Sequence, residues 1–97
     1  MNMANQMTDS ELELKERMEV LLLEMFEALV DKEVEDQVRI DVEMVGSTMV
    51  FAVIDVPESN RALCNGKEGS NIKAAVRFAG RLAKKYGKFL QLEIVRG

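Results

Sequence analysis

The feature that most constrains this chain is its hydrophobic period, which changes between about 3.6 and 2 three times within 97 residues. Side chains return to the same side every 3.6 residues on a helix and every two on a strand, so the period assigns each stretch to one kind of element. Leu14, Met18, Leu21/Leu22, Met25/Phe26 and Leu29 recur at helical spacing, with Glu13, Glu16, Glu24 and Glu27 between them. Thr8-Asp9-Ser10-Glu11 has the form of a capping box, and Ser10 to Glu13 offers a second frame. A helix is therefore expected from this point to about Asp31. Its stripe reads as core, although Val20 and Leu23 widen it enough to offer a partner surface as well.

The period then switches. Val38-Arg39-Ile40-Asp41-Val42-Glu43-Met44 alternates apolar and charged residues, which predicts a strand with one buried face. Met49 to Val56 is an almost unbroken apolar run, so it predicts a more central strand, paired with the first across a Gly46-Ser47 turn and ended by Pro57. Ser59 or Asp55 can cap a short helix through Arg61-Ala62-Leu63-Cys64, which Asn65 and Gly66 are suited to stop. After Gly69 the helical period returns: Ile72, Ala75/Val76, Ala79, Leu82/Ala83 and Tyr86 form an apolar face, on or beside which Phe78 is also placed. Gly87 ends that helix, and Phe89 to Val95 alternates as a third strand. The expected fold is α+β in two layers, a three-stranded sheet covered on one face by helices, in the order α-β-β-α-α-β. Residues 1–10 are expected to form a tail, loosest over 1–6, and 11–97 a single domain.

Composition narrows the chemistry. The chain has no histidine and one cysteine, Cys64, which removes structural disulfides, Cys/His zinc sites and histidine-dependent triads. Cys64 reads as a semi-buried small hydrophobe, since no histidine is present to activate it. No carboxylate pair is spaced for general acid/base work, so an enzyme is not expected, and no cofactor or metal site is indicated. A charged-then-apolar leader and a long apolar segment are both absent from the sequence, which makes a reducing cytoplasm and no membrane partner the expectation.

Charge is distributed unevenly. Residues 1–60 hold fifteen acidic and four basic side chains, a net −11, whereas residues 61–97 hold nine basic and two acidic ones, a net +7. A polarised molecule of this kind can present a cationic face to a polyanion despite an overall charge of −4. Lys73, Arg77, Arg81 and Lys84/Lys85 step along the last helix by about four residues. The stripe has two readings at this stage, a solvated face that compensates the acidic half through salt bridges or a polyanion-binding surface.

The loop ahead of that helix favours the second reading. Gly66 and Gly69 can take positive φ and let another backbone approach, and the helix start beyond them presents unpaired N–H groups. A Gly-x-x-Gly turn between helices is also compatible with plain connection. Were it a site, the Gly66–Gly69 turn would hold phosphate and Lys67, Lys73 and Arg77 would supply cations, while Leu63, Cys64, Ile72 and Val76 would line an apolar side for bases.

Cys64-Asn65-Gly66-Lys67-Glu68-Gly69-Ser70-Asn71-Ile72 resembles the signature of the KH domain, an apolar pair followed by Gly-x-x-Gly, two residues and Ile. The order of elements is similar to the bacterial type II arrangement. Length and the ending Lys84-Lys85-Tyr86-Gly87-Lys88-Phe89-Leu90-Gln91-Leu92-Glu93-Ile94 are similar to the small single-KH RNA-binding proteins of the KhpA type. The resemblance covers about Leu12 to Val95. It implies a clamp on about four nucleotides of single-stranded RNA, or of single-stranded DNA. Gly66, Lys67, Glu68 and Gly69 would be its loop, Ser70 and Asn71 its spacer and Ile72 its groove isoleucine. It further implies RNA-chaperone activity and a homodimer or a second KH-containing partner. Two positions depart from the family: Asn65 replaces an isoleucine beside the groove, and Glu68 cancels the charge of Lys67. Weak, low-specificity binding is the resulting expectation, with a degenerate KH domain that binds protein instead as the alternative.

Overall fold

The computed structural model describes residues 7–95. Of the tail expected over residues 1–10, residues 1–6 lie outside the described residues, whereas Thr8 caps the first helix and Asp9 and Ser10 belong to its first turn. The chain runs α1 (Asp9–Leu29), β1 (Arg39–Val45), β2 (Met49–Asp55), α2 (Arg61–Asn65), α3 (Ser70–Lys85) and β3 (Phe89–Ile94), the order predicted from the alternation of periods. Three short 3-10 turns join them, at Lys32–Gln37, Glu58–Asn60 and Lys67–Gly69; the first had no sequence signal strong enough to predict it.

Thr8 begins α1 through the first of the two capping frames. Its hydroxyl accepts from the Glu11 amide at 3.1 Å, and Glu11 Oε1 accepts from the Thr8 amide at 3.0 Å. Leu14, Met18, Leu22 and Phe26, four residues apart, are fully buried along one face of this helix. Each contributes on the order of 1.5–3 kcal/mol by leaving water, so the stripe is the main apolar anchor of the helix layer.

β2 is the central strand, as its apolar run requires. It pairs antiparallel with β1, Val42 opposite Ala52, and parallel with β3, Ala52 opposite Leu92. Val42, Val50, Ala52 and Ile54 point into the core beneath α1 and α3, while Asp41, Glu43, Gln91 and Glu93 occupy the outer face. β3 is an edge strand, and this exposes part of its inner row.

Two tertiary ties differ from local expectation. Neither Ser59 nor Asp55 caps α2. Asn60, 2% exposed, instead accepts from the Asp31 amide at 2.7 Å through Oδ1 and donates to Ser59 Oγ at 3.1 Å. It fastens the start of α2 to the end of α1. Beyond α3, Gly87 (φ +73) ends the helix in a Schellman arrangement, with Lys88 N–H on Ala83 O and Gly87 N–H on Lys84 O. That turn drives Lys88 inward, where its ammonium meets Glu11 Oε2 at 2.8 Å and donates to Ser47 O at 2.6 Å. Lys88 therefore belongs to the packing, and its charge, one of the nine basic groups of residues 61–97, is spent within the fold.

Candidate nucleic-acid interface

The two glycines adopt the backbone they were expected to need. Gly66 has φ +74 and ψ 171, a conformation essentially confined to glycine, and Gly69 has φ +76 and ψ 18. Their requirements differ in kind. A Cβ on Gly66 would lie 2.8 Å from Asn71 Cγ and from Ser70 Oγ, whereas one on Gly69 would meet only Lys73 Cε at 4.0 Å. Between them Glu68 is left-handed as well, with φ +56 and ψ +29. The Gly69 amide donates to Gly66 O at 3.1 Å and closes the turn.

Asn71 secures this turn from the other side. Its Nδ2 donates to Leu63 O at 2.8 Å, which satisfies one of the carbonyls left open at the end of α2 and ties that helix to the first turn of α3. The Asn71 side chain is thus committed to holding the loop. Gly69, the N-cap of α3, has no side chain to cap the helix; the Ser70 amide donates to Lys67 O within the turn, and the next amides have no side-chain cap. Lys67, Lys73 and Arg77 are exposed around them, and Ser70 is exposed at the helix start. Among the described residues the ion pairs are Lys15–Glu19 and Glu11–Lys88, so none of the cations on α3 is neutralised by the acidic half. Of the two readings of the stripe, the salt bridges are absent among the described residues, and the stripe is a solvent-exposed face.

Beside the turn lies a groove of about 410 Å3, lined by Arg61 and Asn65 from α2, Ile72 from α3, and Leu92, Glu93 and Ile94 from β3. It exists because α2 is only five residues long and leaves the inner row of the edge strand partly uncovered. Ile72 is half-buried, touching the core on one side and the groove on the other. Asn65 is exposed at the edge of the groove, its Nδ2 donating to Arg61 O at 3.4 Å, so no amide is stranded against apolar surface. The rest of the expected lining is elsewhere. Cys64 is fully buried in the core, where burial pushes its thiol pKa up; Leu63 is 45% exposed away from the groove, and Val76 is half-buried outside the lining. Arg61 and the β3 residues were missed from the sequence because alternation marks Leu92 and Ile94 as core and does not tell a central strand from an edge one. Phe78 also departs from expectation: it is 63% exposed on α3 and not part of the buried face.

The arrangement combines a glycine turn and cations on one rim with a groove of mixed lining, three aliphatic side chains beside Arg61, Asn65 and Glu93. Such a site can hold one strand of a phosphodiester chain by its backbone with bases against Ile72, Leu92 and Ile94. Neither a family model nor a curated protein matches this chain. Solved structures do. One is Era in complex with MgGDPNP and nucleotides 1506–1542 of 16S ribosomal RNA, similar at 19% identity and a TM-score of 0.65 over 84% of this chain. Another is a single-residue variant of Aquifex aeolicus Era bound to GDP.AlF4-, at 16% identity and a TM-score of 0.63 over 84%. The fold is KH-like. Era is a GTPase whose C-terminal domain is a KH domain, and the present chain spans 30% and 32% of the two Era chains. The helix-covered three-stranded sheet expected from the sequence is thereby matched at the level of fold. Among the described residues no helix is long and apolar enough to cross a membrane.

Proposed function

We propose that this chain is a non-enzymatic KH module that binds single-stranded RNA weakly and with little sequence preference, in the manner of the small cytoplasmic single-KH proteins of the KhpA type. The observation that carries the reading is the Gly66–Gly69 turn, held open by Asn71, at the rim of the α2–α3–β3 groove and among unpaired cations. The RNA-bound state of Era, which shares this fold over 30% of its chain, supports RNA as the ligand class. Low specificity is inferred because bases would rest on the aliphatic Ile72, Leu92 and Ile94, with no aromatic side chain in the lining to stack on them. Weak affinity follows from Glu68, which sets a carboxylate beside Lys67 in the phosphate-facing turn. A chaperone role would rest on this weak, non-selective grip.

Fluorescence anisotropy with a short single-stranded RNA over a salt series tests it. Affinity should fall as salt rises, with a log–log slope of about −0.7 for each phosphate contacted. Replacing Lys67 and Glu68 together by Asp should abolish binding with the fold intact, and Glu68→Lys should strengthen it. Absence of binding at low salt would contradict the proposal and leave the degenerate, protein-binding alternative, which the exposed Val20 and Phe78 favour.

A further inference from the structure

The helices cover one face of the sheet and leave the other open, and the strand register gathers the apolar side chains of that open face into one patch. Val45, Met49 and Phe89 stand in a single cross-strand row, Val45 paired with Met49 and Met49 with Phe89. Phe51 and Val53 follow along the central strand, each about 7 Å from the last. Phe89 is 68% exposed, the highest value among the large hydrophobic side chains of the described residues, and Val45 is 47% exposed. Met49, Phe51 and Val53 are half-buried, yet the core takes Val50, Ala52 and Ile54 from the alternate positions of the same strand and none of these three.

Carboxylates frame the patch. Glu43 pairs with Phe51, Asp41 and Glu93 flank Val53, and Asp55 ends the central strand opposite Arg39. The open face therefore holds four acidic side chains and one basic one. Arg39 lies at the end remote from Phe89, its guanidinium donating to Asp36 O at 2.9 Å and to Val38 O at 3.3 Å. Among the described residues none of the four carboxylates has an ion-pair partner. Glu93 stands at the edge shared with the groove. The other large concavity, a trough of about 710 Å3 between α1 and α3, is lined by Glu16 and Glu24 together with Arg17, Arg81 and Lys85, so it selects no partner by charge.

We propose that the open sheet face docks a cationic amphipathic helix of a partner protein, whose apolar stripe covers Phe51 and Phe89 and whose Lys and Arg side chains reach Asp41 and Glu43. A helix is the element that adds a layer to a bare sheet, and an apolar stripe between basic flanks is complementary to an apolar patch between carboxylates. Charge also decides against the other occupants. A second copy would set carboxylates against carboxylates, and nucleic acid or an anionic lipid surface would be repelled. The face lies across the sheet from the helices that build the groove, so a docked helix leaves the Gly66–Gly69 turn open, and the proposal does not rest on RNA binding.

Anisotropy of a labelled synthetic helical peptide, Leu on one face and Lys on the other, titrated with the full chain tests it. This peptide should bind, and one with Glu in place of Lys should not. Phe89→Ser, and separately Asp41→Asn/Glu43→Gln, should each weaken binding at least about tenfold with an unchanged circular dichroism spectrum, since all three positions are exposed. Phe78→Ser should leave binding unchanged, and Glu16→Gln/Glu24→Gln, the same loss of charge on α1, should weaken it far less. No binding, equal binding of the Glu peptide, or losses at the trough variants in place of the sheet variants would overturn the proposal, as would a dimer of the chain alone that Phe89→Ser dissociates. Anisotropy of Phe89→Ser with single-stranded RNA should match that of the unaltered chain, which keeps the outcome separate from that of the RNA proposal.

Discussion

At the scale of single residues, the loop depends on backbone conformations that most side chains resist. Gly66→Ala would place a methyl 2.8 Å from Asn71 and Ser70 in a glycine-only conformation, and is expected to cost about 2–3 kcal/mol in urea unfolding. Gly69→Ala meets no close neighbour and should cost about 1–2 kcal/mol, the penalty of a left-handed alanine. Equal losses would show that steric closure by Asn71 is not what distinguishes the two. Glu68→Asn suits the left-handed position better and removes the carboxylate, so it should raise stability by up to about 1 kcal/mol and tighten RNA binding together. The need for Gly66 and Gly69 was legible because only glycine enters those regions freely. Glu68 was not legible as left-handed: its conformation is imposed by the glycines on either side, and nothing in its own side chain announces it.

At the scale of elements, the period of the sequence placed α1, α3 and the three strands, because burial of one face is what holds each of them. What it did not contain was how their ends are tied. Asn60 sits between two helices and reads locally as a turn residue, yet its Oδ1 holds the Asp31 amide. Asn60→Ala leaves that donor unpaired and should destabilise by about 1–3 kcal/mol, measured by urea unfolding. Glu11 is tied twice, to Thr8 in the cap and to Lys88 across the fold. Its hydrogen bond with Lys88, followed by the one with the Thr8 backbone, lowers its pKa below the ordinary 4.5. A lowered carboxylate pKa contributes stability in full above the unfolded value and loses it as pH falls through the folded one. Unfolding midpoints should therefore drop on acidification below about pH 4.5, and Lys88→Met should remove that part of the dependence. Lys88 and Asn60 have one feature in common, a partner distant in sequence that no local pattern encodes.

At the scale of the whole molecule, the polarity of charge seen in the sequence becomes two surfaces on one helix. One side of α3 meets the groove and the Gly66–Gly69 turn, and the other carries Phe78 into the trough with α1. The basic stripe was legible, but its division was not, since Phe78 lies where the apolar face of the helix meets the cationic one. The central claim is that RNA is held at the turn and groove. An amide-resolved NMR titration of the labelled chain with a short single-stranded RNA tests it most directly. The account predicts shifts confined to Arg61, Gly66 to Lys73 and the Leu92–Ile94 segment, with the α1 face around Val20 unmoved; shifts that bypass Gly66–Gly69, or none at all, would contradict it.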